Sequence, residues 1–136
     1  MSDNADAYRA AIDKGNAGDL DGYLDLYSDD VVFGGVTPEP MDKTATVAFH
    51  QDFYAAFPGA KVDFVDLVEA DDRVAARILI RGRHEGEFMG VPPTGTEVQL
   101  PITTILTFRD GKCVERWSTA DMLGLMIQLG AVPPPG

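Results

Sequence analysis

The sequence predicts an α+β domain in which helices come first and a curved antiparallel sheet follows. Two observations carry this: the apolar period changes from 3.6 to 2 near residue 60, and the later apolar runs are joined by short turn segments. The expected product is a cone-shaped α+β barrel, its helices on the concave face of the sheet and a cavity enclosed between them.

Ala7, Tyr8, Ala11 and Ile12 fall at helical spacing, and Gly15 to Gly18 ends that element. Leu20, Tyr23, Leu24 and Tyr27 repeat at i, i+3, i+4, i+7 behind Asp19, a good N-cap. Val31-Val32-Phe33 predicts a short strand stopped by Gly34-Gly35. A loop with Pro38 and Pro40 then leads to a third helix bearing Phe49, Phe53 and Phe57, which Pro58-Gly59 terminates. Residues 62–68, 73–87, 96–108 and 113–119 predict four strands. Asp71-Asp72, Pro92 to Gly95 and Asp110-Gly111 form their turns. Short connections favour antiparallel neighbours.

One domain spanning residues 1–136 is expected, large enough to bury roughly 65–70% of its unfolded surface. Eleven Lys plus Arg against 22 Asp plus Glu give a net charge of −11, which repels phosphate backbones and argues against a nucleic-acid partner. No apolar run approaches the ~18 residues of a membrane span. The acidic N-terminus and single Cys113 agree with a cytosolic location.

Strand alternation selects the groups expected to face the cavity. Ala76, Ile78, Ile80, Gly82, His84 and Phe88 share one face of their strand, while Arg77, Arg81 and Arg83 take the other. Leu100, Ile102, Thr104, Leu106 and Phe108 share a face. In the last strand Cys113, Glu115 and Trp117 are grouped, placing Glu115 inward between apolar neighbours. His50 is expected to be partly exposed, and Tyr8, Tyr23, Tyr27 and Tyr54 to be core residues with bonded hydroxyls. Two histidines and one cysteine make a three-ligand zinc site improbable without carboxylates, and no Gly-rich phosphate loop follows a strand. Ser118-Thr119-Ala120-Asp121 fits a capping box, with Ser118 as N-cap and Asp121 at N3.

The run Gly86-Glu87-Phe88-Met89-Gly90-Val91-Pro92-Pro93-Thr94-Gly95, with Asp121 26 residues beyond it, is the most specific motif. Together with Asn16-Ala17-Gly18-Asp19, Ala56-Phe57-Pro58-Gly59 and Gln128-Leu129-Gly130 it resembles the SnoaL-like polyketide cyclases, of the nuclear transport factor two-like superfamily. The resemblance implies a cofactor-free enzyme, without metal, that closes a ring in a small apolar or polyketide-like molecule by aldol-type condensation. It implies Asp121 as general acid/base, made a stronger base by burial against Trp117 and Leu123, and His84 as a second catalytic group. Trp117, Glu115, Thr104, Phe33, Phe88 and Met89 are the expected substrate contacts. Gly34 stands where such cyclases often carry a pocket histidine. Alternatives are cavity-templated pericyclic or rearrangement chemistry, or a non-catalytic binding protein for an apolar metabolite. A homodimer paired through the outer sheet face is expected, with Arg81, Arg83, Glu85 and Glu87 supplying charge complementarity.

Overall fold

The computed structural model describes residues 3–135 and confirms the α+β class. Helix α1 (Asp3–Asn16) buries Ala5, Tyr8, Ala11 and Ile12, a stripe at helical spacing. Asn16 at its end anchors the helix to the sheet. Its Nδ2 donates to the Val62 carbonyl (2.9 Å) while its Oδ1 accepts from the Val62 N–H (2.8 Å). Asp19 caps the short α2 (Leu20–Leu24) by accepting from the Gly22 N–H. Tyr27, expected to continue this helix, instead opens strand β1 (Tyr27–Gly34). Helix α3 (Lys43–Ala56) is capped by Asp42, which accepts from the Ala45 N–H at 2.9 Å. Lys43 Nζ donates to the Tyr27 carbonyl at 2.7 Å and ties the start of α3 to β1.

Strands β2 (Lys61–Ala70), β3 (Arg73–Arg83), β4 (Glu97–Arg109) and β5 (Lys112–Ala120) follow, then α4 (Met122–Gln128). The sheet order is β1-β5-β4-β3-β2, so the first strand lies at one edge, parallel to β5, and all other pairs are antiparallel. The sheet does not close on itself; helices complete the barrel on its concave side. Strand β3 ends at Arg83, four residues before the expected boundary. Residues 84–96 form a long connection whose tip, Met89-Gly90, makes a tight turn between the paired Phe88 and Val91. Both tip residues have positive φ, as a type I′ turn demands.

Alternation is uninterrupted in β3 and β4: of the residues the period selected, Ala76 and Ile78, and Leu100, Thr104, Leu106 and Phe108, are buried, as is His84 just past the end of β3; Val74 and Val98 join them on the same faces. In β5 the expected register fails. Thr107 pairs with Glu115 and the next residue, Phe108, pairs with Cys113, so Val114 is an extra residue in the strand. A bulge of this kind moves every later side chain to the opposite face. Cys113 stays inside, but Glu115 and Trp117 turn out and Arg116 and Ser118 turn in.

The turned-out indole explains Gly34. A Cβ there would lie 2.2 Å from Trp117 Cζ3, because the ring crosses the position on the outer face. Phe33, not residue 34, is the inward side chain. Gly35 is held more tightly: its φ is +97°, and a Cβ would meet the Ser118 carbonyl oxygen at 2.1 Å. The Trp117 ring is 47% exposed and can swing aside; backbone cannot. We therefore expect Gly35→Ala to lose about 1–3 kcal/mol in denaturant unfolding. Gly34→Ala should lose less than about 1 kcal/mol while altering the emission of Trp117, the single tryptophan.

Candidate active site

A cavity of about 380 Å³ lies between the concave sheet face and the helices. Ile78, Ile80, Leu100 and Ile102 form its floor; Ile12, Phe49, Phe53 and Met122 face them from the helices. Phe33 lines it as well, and Phe88 and Met89 reach it from the β3–β4 connection, Met89 being 70% exposed. A wider groove of about 860 Å³ on the protein exterior is open and lined by Lys61, Arg81, Arg83, Glu97 and Asp121. The enclosed cavity is the better ligand site, since apolar walls with a few convergent polar groups are what small-molecule sites share.

Those polar groups gather around Arg116, which is only 4% exposed. Its Nε donates to Thr104 Oγ1 (2.9 Å), Nη1 to the hydroxyls of Tyr23 (3.0 Å) and Tyr27 (2.5 Å), and Nη2 to the Tyr8 hydroxyl (3.2 Å). The guanidinium also lies 5.0 Å from the Phe33 ring centroid and 5.6 Å from that of Tyr8, within cation–π range. None of the four ion pairs among the described residues includes it. Although burial opposes its charge, the surrounding tyrosines hold its pKa well above the ordinary arginine value.

His50 stands beside this cluster, and its remaining accessible surface faces the cavity it lines. Nδ1 is 2.8 Å from the Thr46 carbonyl oxygen, which can only accept, so Nδ1 carries the proton. Nε2 is then free to accept from the Tyr23 hydroxyl at 3.2 Å. Tyr23 and Tyr27 oxygens lie 2.5 Å apart. The directions close into one chain: Tyr27 O–H to Tyr23, Tyr23 O–H to His50, His50 N–H to Thr46. Burial pushes the His50 pKa down to about 4, with the Thr46 bond opposing and the Arg116 charge assisting. Burial likewise pushes Tyr23 up to about 12. At neutral pH the imidazole and both phenols are uncharged.

The expected site residues divide into separate groups. Phe33, Phe88 and Met89 line the cavity. Thr104 is buried and reaches it through Arg116 and Ser118, whose Oγ lies 2.8 Å away. His84 is fully buried, as alternation requires, but elsewhere: it stacks on Phe57 at 5.3 Å, and its Nδ1 accepts from the Thr94 N–H. Its Nε2 has no partner among the described residues.

Glu115 and Trp117 bond to each other (3.0 Å) on the outer face, where the Val114 bulge puts them. Asp121 is exposed and is itself the N-cap of α4, accepting from the Gly124 N–H at 2.8 Å, whereas Ser118, the expected N-cap, belongs to β5. The expected burial of this carboxylate is corrected. Its neighbours Ala120 and Met122 face the cavity while Asp121 borders two outer grooves, and Trp117 and Leu123 are 47% and 59% exposed.

Arg116, Tyr23 and His50 were not selected by the sequence reading as site residues. Arg116 shares alternation with Ser118 and Ala120, both small enough for an inner face. Counting back from the end of β5, not forward from Cys113, would have turned it inward.

With this geometry in view, the relatives are informative. Residues 5–129 match the SnoaL-like polyketide cyclase family, and the chain belongs to that family. The crystal structure of AclR, a candidate hydroxylase from Streptomyces galilaeus, superposes with a TM-score of 0.91 at 31% identity, covering 100% of this chain and 86% of AclR. IdmH, a candidate polyketide cyclase from Streptomyces antibioticus, gives a TM-score of 0.80 at 32% identity over 93% of this chain and 98% of its own. Aklanonic acid methyl ester cyclase AcmA from Streptomyces galilaeus is 37% identical over 71 residues, which is 52% of this chain. The match spans about half of that relative's length, 49%.

The depressed His50 pKa has a measurable consequence. Between about 4 and 6.5 the unfolded chain binds a proton at this residue that the folded chain does not, so stability falls as pH drops through that window. The contribution is complete above 6.5 and amounts to roughly 3 kcal/mol at most. Thermal unfolding followed from pH 7 to pH 4 should show this loss, and His50→Gln should flatten the profile over that range.

Proposed function

We propose that the protein is a polyketide cyclase-like enzyme that folds a small polyketide-like substrate inside the cavity and closes a ring by intramolecular aldol-type condensation. The observation that carries this reading is the placement of Tyr23, His50, Arg116 and Ser118 together in a largely apolar cavity. A β-dicarbonyl chain acidifies its own C–H bonds, so the protein must move a proton and hold a geometry. As the Tyr27 O–H turns away from the Tyr23 oxygen and frees a lone pair, the α-proton passes to that oxygen while the Tyr23 proton moves to His50 Nε2. The enolate carbon attacks the second carbonyl, and the stored proton returns to the new alkoxide. Tyr23 works as a relay because its raised pKa keeps it protonated between turnovers. The apolar walls fold the chain so that the reacting carbons meet, a proximity effect that can exceed the proton-transfer term. Asp121 enters this scheme only as the cap of α4.

A second reading is supported by the likeness to AclR, a candidate hydroxylase: the same enolate adds dioxygen at carbon instead of cyclising, and protonation gives a hydroperoxide. Oxygen uptake and a product heavier by two oxygen atoms distinguish it.

We further propose a homodimer through the outer sheet face. Val32, Val65, Val68, Ile105 and Trp117 are 41–61% exposed there, a surplus of apolar surface that a second copy would cover. The charges expected to guide pairing are occupied within the chain, Arg81 by Asp63 and Arg83 by Glu97. Sedimentation should give twice the chain mass of 14.7 kDa, with Trp117 emission shifting red on dilution. A monomer at all concentrations with unchanged emission would reject this pairing.

The catalytic reading is tested with an aryl 1,5-diketone that cyclises to a conjugated cyclohexenone, followed by absorbance. Tyr23→Phe and His50→Gln should each reduce turnover by roughly 10²–10⁴, with the cavity still binding the diketone. Asp121→Asn should stay within threefold of wild type. The opposite pattern, a hundredfold loss at Asp121 with Tyr23→Phe unimpaired, would return the chemistry to the aspartate.

A further inference from the structure

We propose that the polar end of the cavity is an oxyanion subsite in which Arg116 binds a deprotonated oxygen of the ligand, the enolate of a β-dicarbonyl unit or a carboxylate. This rests on the reading of the cavity as a ligand site and specifies what that site selects.

A guanidinium has five N–H donors. Thr104, Tyr23, Tyr27 and Tyr8 occupy four, leaving one on Nη2 without a protein partner among the described residues. Every occupied donor meets a neutral hydroxyl. A buried cation is ordinarily paired with a carboxylate, because desolvation without a counter-charge is strongly unfavourable. Here dipoles and the Phe33 and Tyr8 ring faces substitute only in part.

The ionisable groups around Arg116 come from five elements: Tyr8 on α1, Tyr23 on α2, Tyr27 on β1, His50 and Tyr54 on α3, and Cys113 on β5. All are uncharged at neutral pH, for burial raises the phenols and the Cys113 thiol and lowers the imidazole. The cluster therefore holds one uncompensated positive charge.

That charge contrasts with its surroundings. The chain as a whole carries −11, so its long-range field does not draw anions in. Selectivity for an oxyanion must arise at short range, inside walls of low dielectric, where a charge-assisted hydrogen bond is strongest. The aromatic groups lining the cavity suit a ligand with an apolar body attached to that oxyanion. A bound enolate would also offset the Arg116 field at His50, easing transfer of the proton onto its Nε2.

The test uses three probes of similar shape on the intact protein: benzoylacetone, whose enol ionises above neutrality, 4-phenylbutanoate, and the neutral ketone butyrophenone. A merely apolar cavity raises the enol pKa of bound benzoylacetone by desolvation. An oxyanion subsite lowers it, by about 1–3 units for a cation in contact. The absorbance of the bound enolate gives the sign directly in the wild-type protein. We expect a lowered pKa and a preference for the anions over butyrophenone on the order of tenfold to a hundredfold. Arg116→Gln should reverse the shift, and Arg116→Lys should keep its sign.

Tighter binding of 4-phenylbutanoate than of butyrophenone, without benzoylacetone ionisation, would identify the oxyanion as a carboxylate and uphold the subsite. A raised enol pKa together with weaker binding of 4-phenylbutanoate than butyrophenone overturns it, and leaves the cavity as a neutral ligand site. Failure of all three probes to bind would remove the cavity reading itself.

Discussion

The Arg116 guanidinium is the constraint on which the arrangement of this domain depends. Tyr8, Tyr23, Tyr27 and Thr104 reach it from α1, α2, β1 and β4, elements far apart in the sequence. Apolar packing alone is tolerant of small shifts, whereas a charge with fixed donor directions specifies where each acceptor must sit. Each tyrosine contributes a ring to the core and an oxygen to the cation, so the same side chains supply burial and position. Removing one acceptor would leave part of a buried charge unsatisfied, which costs more than a lost contact between neutral groups. Conformational order at the cavity end is thus a by-product of solvating one ion without water.

Much of this was legible from residue order. The change of period located the sheet, and alternation placed Ile78, Thr104, Leu106 and His84 on the inner face because β3 and β4 pair without interruption. Asp19 was correct as a cap. The failures share a physical origin in local backbone departures that leave composition untouched. Val114 adds one residue to β5 with no glycine to mark it, and from there Glu115, Arg116 and Trp117 all change sides. The cap of α4 lies three residues later than expected, at Asp121 instead of Ser118, since β5 continues through Ala120 before α4 begins. His50 could not be placed by helical spacing alone, because its environment is supplied by α2 and β1.

The two faces of the sheet differ sharply in chemistry. The concave face carries aliphatic side chains and a single charged cluster; the convex face carries Arg77–Asp66 and Arg81–Asp63 pairs beside exposed valines. Surface pairs like these contribute little to stability. They nevertheless place charge along β2, an edge strand with a strand neighbour on one side only. The exposed Asp121 belongs to that outer world, and its position between two cavity-lining residues shows how narrow the boundary is.

The Val114 bulge places the sign of the cavity's charge under the control of backbone length. Downstream of it, arginine looks inward and glutamate outward; one residue fewer would present Glu115 and Trp117 to the ligand and expel Arg116. A lineage carrying this strand can therefore exchange a cationic interior for an anionic one by a single-codon deletion, without substituting any of the residues that change sides. Insertions and deletions, usually tolerated only in loops, would here act as a specificity switch written into the middle of a strand.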